Sequence, residues 1–380
     1  MPQRTGRWTA RISTGWLMRS RRANPEPANS SQQPMRHLHF SSLHASEALF
    51  RQTPNNDGQW QDLRVTLEDP DQTADWLVVY DRHSEPLNTC VPVERRILMV
   101  SEPPEFQAYP KAYLDQFGIL LSPYPIPAFK GRQIIGHTAL PWFYGMNVGG
   151  GGEQFVRKLW PDLIGPTPPM ENRPLELTAV CSTKTQTKNQ VRRLRFLDIL
   201  KDMLGDRLTI YGRGFERLDD KADVINKSRY HLALENNLAA HGWTEKTADP
   251  ILGGAFLIHG GSAAIKADFD EDGLLFIDLC RPHEAAQKVK ACLDADPAAT
   301  DKAKVAMAAN KAWLMEEHNL FALLNRHVEA LAPERDASPQ LEQPEPVKWY
   351  GKSAAKRLFK LPRPLRRAFW KASINLFERT

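Results

Sequence analysis

The chain has 380 residues, 42% of them hydrophobic and 25% charged, with a formal net charge of +5. That length suits two domains of ordinary size plus extensions, and no apolar run approaches the roughly 18 residues a membrane span needs. The charge is uneven: residues 351–380 hold nine Lys or Arg against one Glu, a net +8, which leaves −3 on the other 350 residues and argues against a nucleic-acid-binding body.

In chain order, the first 34 residues are polar and rich in Arg, Ser and Pro, and "TGWLM" is too short for a signal-peptide core. Residues 1–34 therefore read as a disordered basic extension, with Met35 as an alternative start just before the first ordered-looking sequence. Strands are expected at 75–81 ("DWLVVYD"), 96–101, 118–122, 177–182, 208–212, 230–235, 255–260 and 274–278, and helices most clearly at 187–204, 282–295 and 298–331. Several of these strands are apolar at consecutive positions, which suits strands covered on both faces. Such alternation of β and α predicts an α/β protein with parallel, doubly wound sheets: two Rossmann-like domains facing a cleft.

Proline and glycine set the expected boundaries. An N-terminal domain at 35–163 is followed by a linker at 164–174 ("IGPTPPMENRP"), a C-terminal domain at 175–331, a second linker at 332–350 and a basic tail at 351–380. In that tail Leu365, Phe369, Ala372 and Leu376 recur at helical spacing, with Arg363, Arg367 and Lys371 beside them. An amphipathic basic helix of this kind is predicted to lie on an anionic membrane surface. The cysteines (Cys90, Cys181, Cys280 and Cys292) form no CxxC pair, so they read as reduced thiols. Together these features predict a cytoplasmic protein held at the inner face of a membrane.

Candidate chemistry concentrates in "YHLALENNLAAHGWTEKTADPILGGAFLIHGG", residues 230–261. An apolar strand ends at Glu235 and Asn236, and Thr244 can cap a helix that begins with Glu245 and Lys246. A cation is awkward in a first helical turn, where free N–H groups already favour negative charge. Lys246 makes sense there if a diphosphate shares the site; taken alone, it would equally serve as a solvated turn residue. The acidic run "DFDED" (268–272) has D-x-D spacing but precedes a strand in a turn, and no metal is expected there.

This stretch resembles the signature of the family 10 α-1,3/1,4-fucosyltransferases, a Phe-Glu-Asn strand end, then Thr-Glu-Lys, then a strand leading to glycine. "SEPPEF" (101–106) is similar to the family's Glu-Ser-Pro element, and 180–214 resembles its Ser-Asn…Arg-x-x-Phe/Tyr…Tyr-Gly segment. The resemblance spans about residues 95–285. It implies a bacterial, metal-independent GT-B enzyme that inverts the sugar of GDP-fucose onto a hydroxyl of a surface glycan such as lipopolysaccharide. By the same resemblance Glu102 is the general base, Arg193 and Lys246 hold the diphosphate, and Glu235, Asn236, Thr244, Glu245, Tyr211 and Gly212 fall at donor-contacting positions. The implied partners are a GDP-sugar donor and an oligosaccharide acceptor. Two other readings stand beside it, another nucleotide sugar on the same scaffold and a non-catalytic glycan-binding module. The sequence departs from the family at Gly242, His259 and Pro250, and "LLSPYP" lacks the family's Arg. The proline should kink or shorten its helix.

Overall fold

A computed structural model describes residues 35–349 except 44, 84, 140, 149–152, 336, 337, together with Leu365 and Ala368. The expectations for 1–34 and for the amphipathic tail therefore lie outside the described residues.

Two parallel sheets organise the chain. The first part contains β1 (Arg36–Ser42), β2 (Gln59–Trp60), β3 (Leu63–Thr66), β4 (Trp76–Tyr80), β5 (Leu87–Thr89), β6 (Arg96–Met99), β7 (Ile119–Ser122) and β8 (Arg132–Ile135). All but β5 form a seven-stranded sheet in the order β2-β3-β1-β4-β6-β7-β8, parallel except for β2. A two-stranded ribbon follows, β9 (Met146–Val148) and β10 (Gln154–Val156). The second sheet holds β11 (Leu175–Val180), β12 (Leu208–Tyr211), β13 (Ser228–Leu234), β14 (Phe256–Gly260) and β15 (Leu274–Ile277), all parallel, in the order β12-β11-β13-β14-β15.

Each sheet reverses direction once. Strand order turns at β1/β4 in the first and at β11/β13 in the second, the doubly wound pattern in which ligands sit beyond the strand C-termini at the switch point. The predicted α/β class holds.

Burial on both faces explains the continuous apolar runs. In β4, Trp76, Val78 and Tyr80 pack in one core cluster while Leu77 and Val79 pack in another. In the second sheet, Phe256 and Ile258 face the cluster of the 188–204 helix and Leu257 faces the opposite one. Helix Lys188–Leu204 starts at Thr187, whose hydroxyl accepts the Gln190 N–H at 3.2 Å, and stops at Gly205.

Three expectations change. The helical stretch expected over 298–331 is two helices, Asp301–Glu316 and Leu320–Arg335. Asn319 separates them: its Oδ1 accepts the Ala322 N–H at 2.9 Å, starting a new helix, while its Nδ2 donates back to the Met315 carbonyl. The second helix also packs on the first sheet, with Leu320, Phe321, Leu324 and Val328 beside Leu38 and Trp76. In the other direction Trp142, Tyr144 and Leu163 join the core of the second half. Finally, part of the expected second linker is ordered: β16 (Glu345–Val347) pairs antiparallel with β5, and Trp349 packs edge-on against Tyr113 at 4.8 Å.

Candidate active site

The helix Glu245–Leu252 begins just beyond the end of β13, and its first turn is held by one buried carboxylate. Glu235 is fully buried; its oxygens accept the Thr244 N–H at 2.8 Å, the Thr244 hydroxyl at 2.7 Å and the Thr247 hydroxyl at 2.8 Å. The Thr247 hydroxyl, spending its proton on Glu235, accepts from His259 Nδ1 at 2.9 Å. The two departures, His259 and Pro250, are thus absorbed locally. His259 is buried at the end of β14, and the helix ends two residues after Pro250.

Thr244 caps the helix, its hydroxyl accepting the Lys246 N–H at 3.3 Å. Lys246 Nζ lies 2.8 Å from Glu245 and 4.0 Å from Glu235. Burial works against its charge, but Glu245 and Glu235 outweigh burial and hold its pKa above the ordinary lysine value. Burial likewise pushes Glu245 up, yet Lys246 and Lys221 prevail and hold it at about 2. Glu235 is raised by burial, against the pull of Lys246. The cluster is therefore a charged lysine between two carboxylates, one fixed behind it and one near the surface.

Arg193, on the 188–204 helix that follows β11, reaches across the switch point. It is 3% exposed, and its Nη1 donates to the Leu234 carbonyl at the end of β13 at 3.1 Å. Its Nε is buried without a hydrogen-bond partner among the described residues, as is Asn236 Oδ1 two residues further along the same strand end. Arg193 and Lys246 lie within electrostatic reach of each other. Two cations and two idle polar atoms thus meet where the second sheet changes direction.

Glu102 stands on the other half, in the loop after β6. It is solvent-exposed, although the protein around it still penalises its charge. Surrounding protein and Asp81 raise its pKa, Lys246 lowers it, Glu245 raises it and Lys184 lowers it. Three of those four charges, Lys246, Glu245 and Lys184, belong to the second half, so Glu102 stands within their electrostatic reach.

Tyr211 and Gly212 sit at the end of the edge strand β12, and among the described residues no hydrogen bond joins them to Arg193 or Lys246. Gly212 is there for backbone reasons. Its φ is +113°, and a Cβ would stand 2.3 Å from the Cys181 carbonyl oxygen.

Sequence reasoning missed several polar anchors, at the site and in the fold that carries it. Asp81 ends the strand read at 75–81, and that position, a carboxylate at a strand C-terminus, was the available signal. Asp249 is fully buried inside the "TEKTADP" helix; it accepts the N–H groups of Phe143 and Tyr144 at 2.9 and 3.0 Å and pairs with Lys221 at 2.5 Å. Arg51, 2% exposed, donates to the carbonyls of Trp142, Tyr144, Gly145 and Lys158, and burial lowers its pKa to about 10. Neither has a local sequence signal. The acidic run 268–272 serves structure: Asp268 accepts the Trp243 indole N–H at 2.7 Å and Asp270 caps the following turn.

No model of a known protein family matches the chain, and no curated protein matches it in sequence. Solved structures do resemble it. A crystal structure of an α1,3-fucosyltransferase aligns at 13% identity and a TM-score of 0.49, covering 85% of this chain and 96% of that one. A crystal structure of α1,3-fucosyltransferase with GDP-fucose aligns at 13% identity and a TM-score of 0.43, covering 77% and 93%. A UDP-forming α,α-trehalose-phosphate synthase from Burkholderia vietnamiensis aligns at 11% identity and a TM-score of 0.42, covering 69% and 72%.

Proposed function

We propose that the chain is an inverting glycosyltransferase of the GT-B kind that takes a nucleoside-diphosphate sugar, with GDP-fucose as the favoured donor. One observation carries the reading: Arg193 and Lys246 lie within electrostatic reach of each other at the switch point of the second sheet, and Lys246 in turn lies within reach of a carboxylate, Glu102, that follows β6 of the first. Helix N–H groups and cations at such a place suit a diphosphate. Arg offers a planar fork that can hold two phosphate oxygens, and Lys adds a compact charge.

In the proposed step, an acceptor hydroxyl oxygen attacks the anomeric carbon while the bond from that carbon to the β-phosphate oxygen breaks. The electron pair leaves on the diphosphate, where Arg193 and Lys246 meet the developing charge. The hydroxyl proton passes to Glu102, whose raised pKa suits a base working near neutrality. Attack opposite the leaving group inverts the centre, so a β-linked donor gives an α-linked product, an oxocarbenium-like course. Glu235 supports this reaction from behind by fixing Thr244 and the helix start. Tyr211 and Gly212 would line the nucleotide end of the cleft, and Asn236 offers its idle Oδ1 to the donor.

The acceptor is proposed to be a hydroxyl of a surface glycan, in α-1,3 or α-1,4 linkage, presented at an anionic membrane that the basic tail 351–380 would bind. No helix of the described residues is long and apolar enough to cross a membrane. Screening hydrolysis and transfer across GDP- and UDP-sugars tests the proposal. Turnover of GDP-fucose above the others supports it; preference for a UDP-sugar moves the donor while keeping the mechanism. Binding without turnover of any donor would leave a glycan- or nucleotide-binding module.

A further inference from the structure

Asp81 closes β4 in a left-handed backbone conformation, φ +56°, which a non-glycine residue adopts at a cost and which Asp tolerates better than most. The conformation has a use. Its own N–H donates to the Met99 carbonyl at 2.7 Å, while its carboxylate turns toward the loop that follows β6. One carboxylate oxygen accepts the Ser101 N–H at 2.8 Å, the Glu102 N–H at 3.4 Å and the Tyr109 hydroxyl. The other accepts the Ser101 hydroxyl, and the Asp81 carbonyl accepts the Tyr113 hydroxyl at 3.2 Å. From the other side the Tyr124 hydroxyl donates to the Glu102 carbonyl at 2.6 Å, and Pro103 restricts Glu102 to extended backbone.

We propose that Asp81 is a positioning residue that fixes the Ser101–Glu102 backbone and so holds the Glu102 carboxylate toward the cleft. This rests on the reading of Glu102 as the base. These bonds hold the Ser101 N–H and both backbone polar groups of Glu102, and leave the Glu102 side chain to move a proton. Asp81 also places a second negative charge behind the first. Surrounding protein and Asp81 are the two largest influences raising Glu102, with Glu245 adding to them and Lys246 and Lys184 opposing. Tyr109 and Tyr124 face the same pair; burial first, and then Asp81, keep both hydroxyls protonated as donors. A carboxylate that orients the catalytic carboxylate and keeps it basic joins geometry to charge, and the two parts are separable by mutation.

Asp81→Asn keeps the shape and an accepting oxygen but removes the charge. The experiment follows the side-chain carboxyl carbon of Glu102 by 13C NMR across pH in the full chain, assigned by its loss in Glu102→Gln, beside the pH profile of sugar transfer. The expected result is a Glu102 midpoint above the ordinary carboxylate value in the parent, moved down by Asp81→Asn. The acid limb of kcat/KM should move down with it, kcat should fall about tenfold or more, and the donor KM should hold. Unchanged midpoint and unchanged profile in Asp81→Asn would overturn the proposal. A shifted midpoint in a protein that transfers no sugar would sustain the coupling and count against the transferase reading instead. Should Asp81→Asn fail to fold, Ser101→Ala should lower kcat several-fold at constant donor KM, with rescue by Ser101→Thr; full activity in Ser101→Ala then overturns it.

Discussion

Glu235 and Thr244 are nine residues apart, yet both donors of Thr244, its backbone N–H and its hydroxyl, end on the Glu235 carboxylate at 2.8 and 2.7 Å. That pairing ties the end of β13 to the start of the helix carrying Glu245 and Lys246. Glu235→Ala strands two hydroxyls and an N–H in a buried site. A hydrogen bond to a charged group is worth about 1.5–3 kcal/mol, so urea unfolding should show a loss of at least that size. Glu235→Gln, keeping the shape, should lose less. Equal stability of Glu235→Ala and the parent would remove the bracing role.

Gly212 separates backbone demand from ligand contact. With φ at +113° and a Cβ position 2.3 Å from the Cys181 carbonyl oxygen, Gly212→Ala must shift the end of β12. Strain of this kind costs on the order of 1–3 kcal/mol, and thermal unfolding should fall accordingly without any ligand present. An unchanged midpoint would mean that the turn relaxes freely.

Buried histidines give the fold an acid limb. His231 and His259 are held neutral by burial, with pKa values about 3. Their ordinary value is about 6.5, so below that pH the unfolded chain binds protons the native state refuses. Stability should therefore be full above pH 6.5 and fall as pH drops from there toward 3. Glu245, held at about 2, adds a further loss below its ordinary value of 4.5. Urea midpoints between pH 8 and 4 check the sign; in His259→Gln the decline over pH 6.5–4 should be shallower than in the parent. A parallel decline would assign the limb elsewhere.

How much of this the sequence reveals depends on how local each cause is. Strands such as "DWLVVYD" are legible because burial on both faces leaves a continuous apolar run. β1 is not, because Arg36, His37 and His39 interrupt it; His37 is accommodated by side-chain bonds to Thr66 and Thr73. The break at Asn319 hides inside an uninterrupted helical pattern, since only the hydrogen bonds of its side chain reveal a cap. The Glu235–Thr244–Lys246 cluster lies within a dozen residues and can be read from spacing. Asp81 is marked locally only as a carboxylate at a strand end, its partner 20 residues away, while Asp249 and Arg51 act across 106 and 107 residues of separation, which no local pattern records.

The basic tail can be tested by flotation, with the cut placed by the structure. Trp349 packs against Tyr109 and Tyr113, and Arg82 lies 5.9 Å above its ring, so a truncation should keep it. The full chain should float with anionic liposomes and be released by high salt, since each cation near such a surface is worth on the order of 1 kcal/mol. A chain ending at Trp349 should stay in solution. Equal behaviour of the two would discard the anchor.

Removing the general base should separate chemistry from binding. Glu102→Gln keeps the size of the side chain and its neighbours but can no longer accept a proton, so donor affinity should hold while turnover falls by about 100-fold or more. Parent-like turnover at saturating substrates would place the base elsewhere.

Calorimetric titration of GDP into the parent, Arg193→Ala and Lys246→Ala tests the central claim most directly. Loss of a charge-assisted bond to phosphate should cost about 1.5–3 kcal/mol, roughly a 10- to 150-fold weaker Kd, in each variant. Binding by the parent with that loss in both variants is the predicted result; GDP affinity unchanged in both would contradict the diphosphate site and the transferase reading built on it.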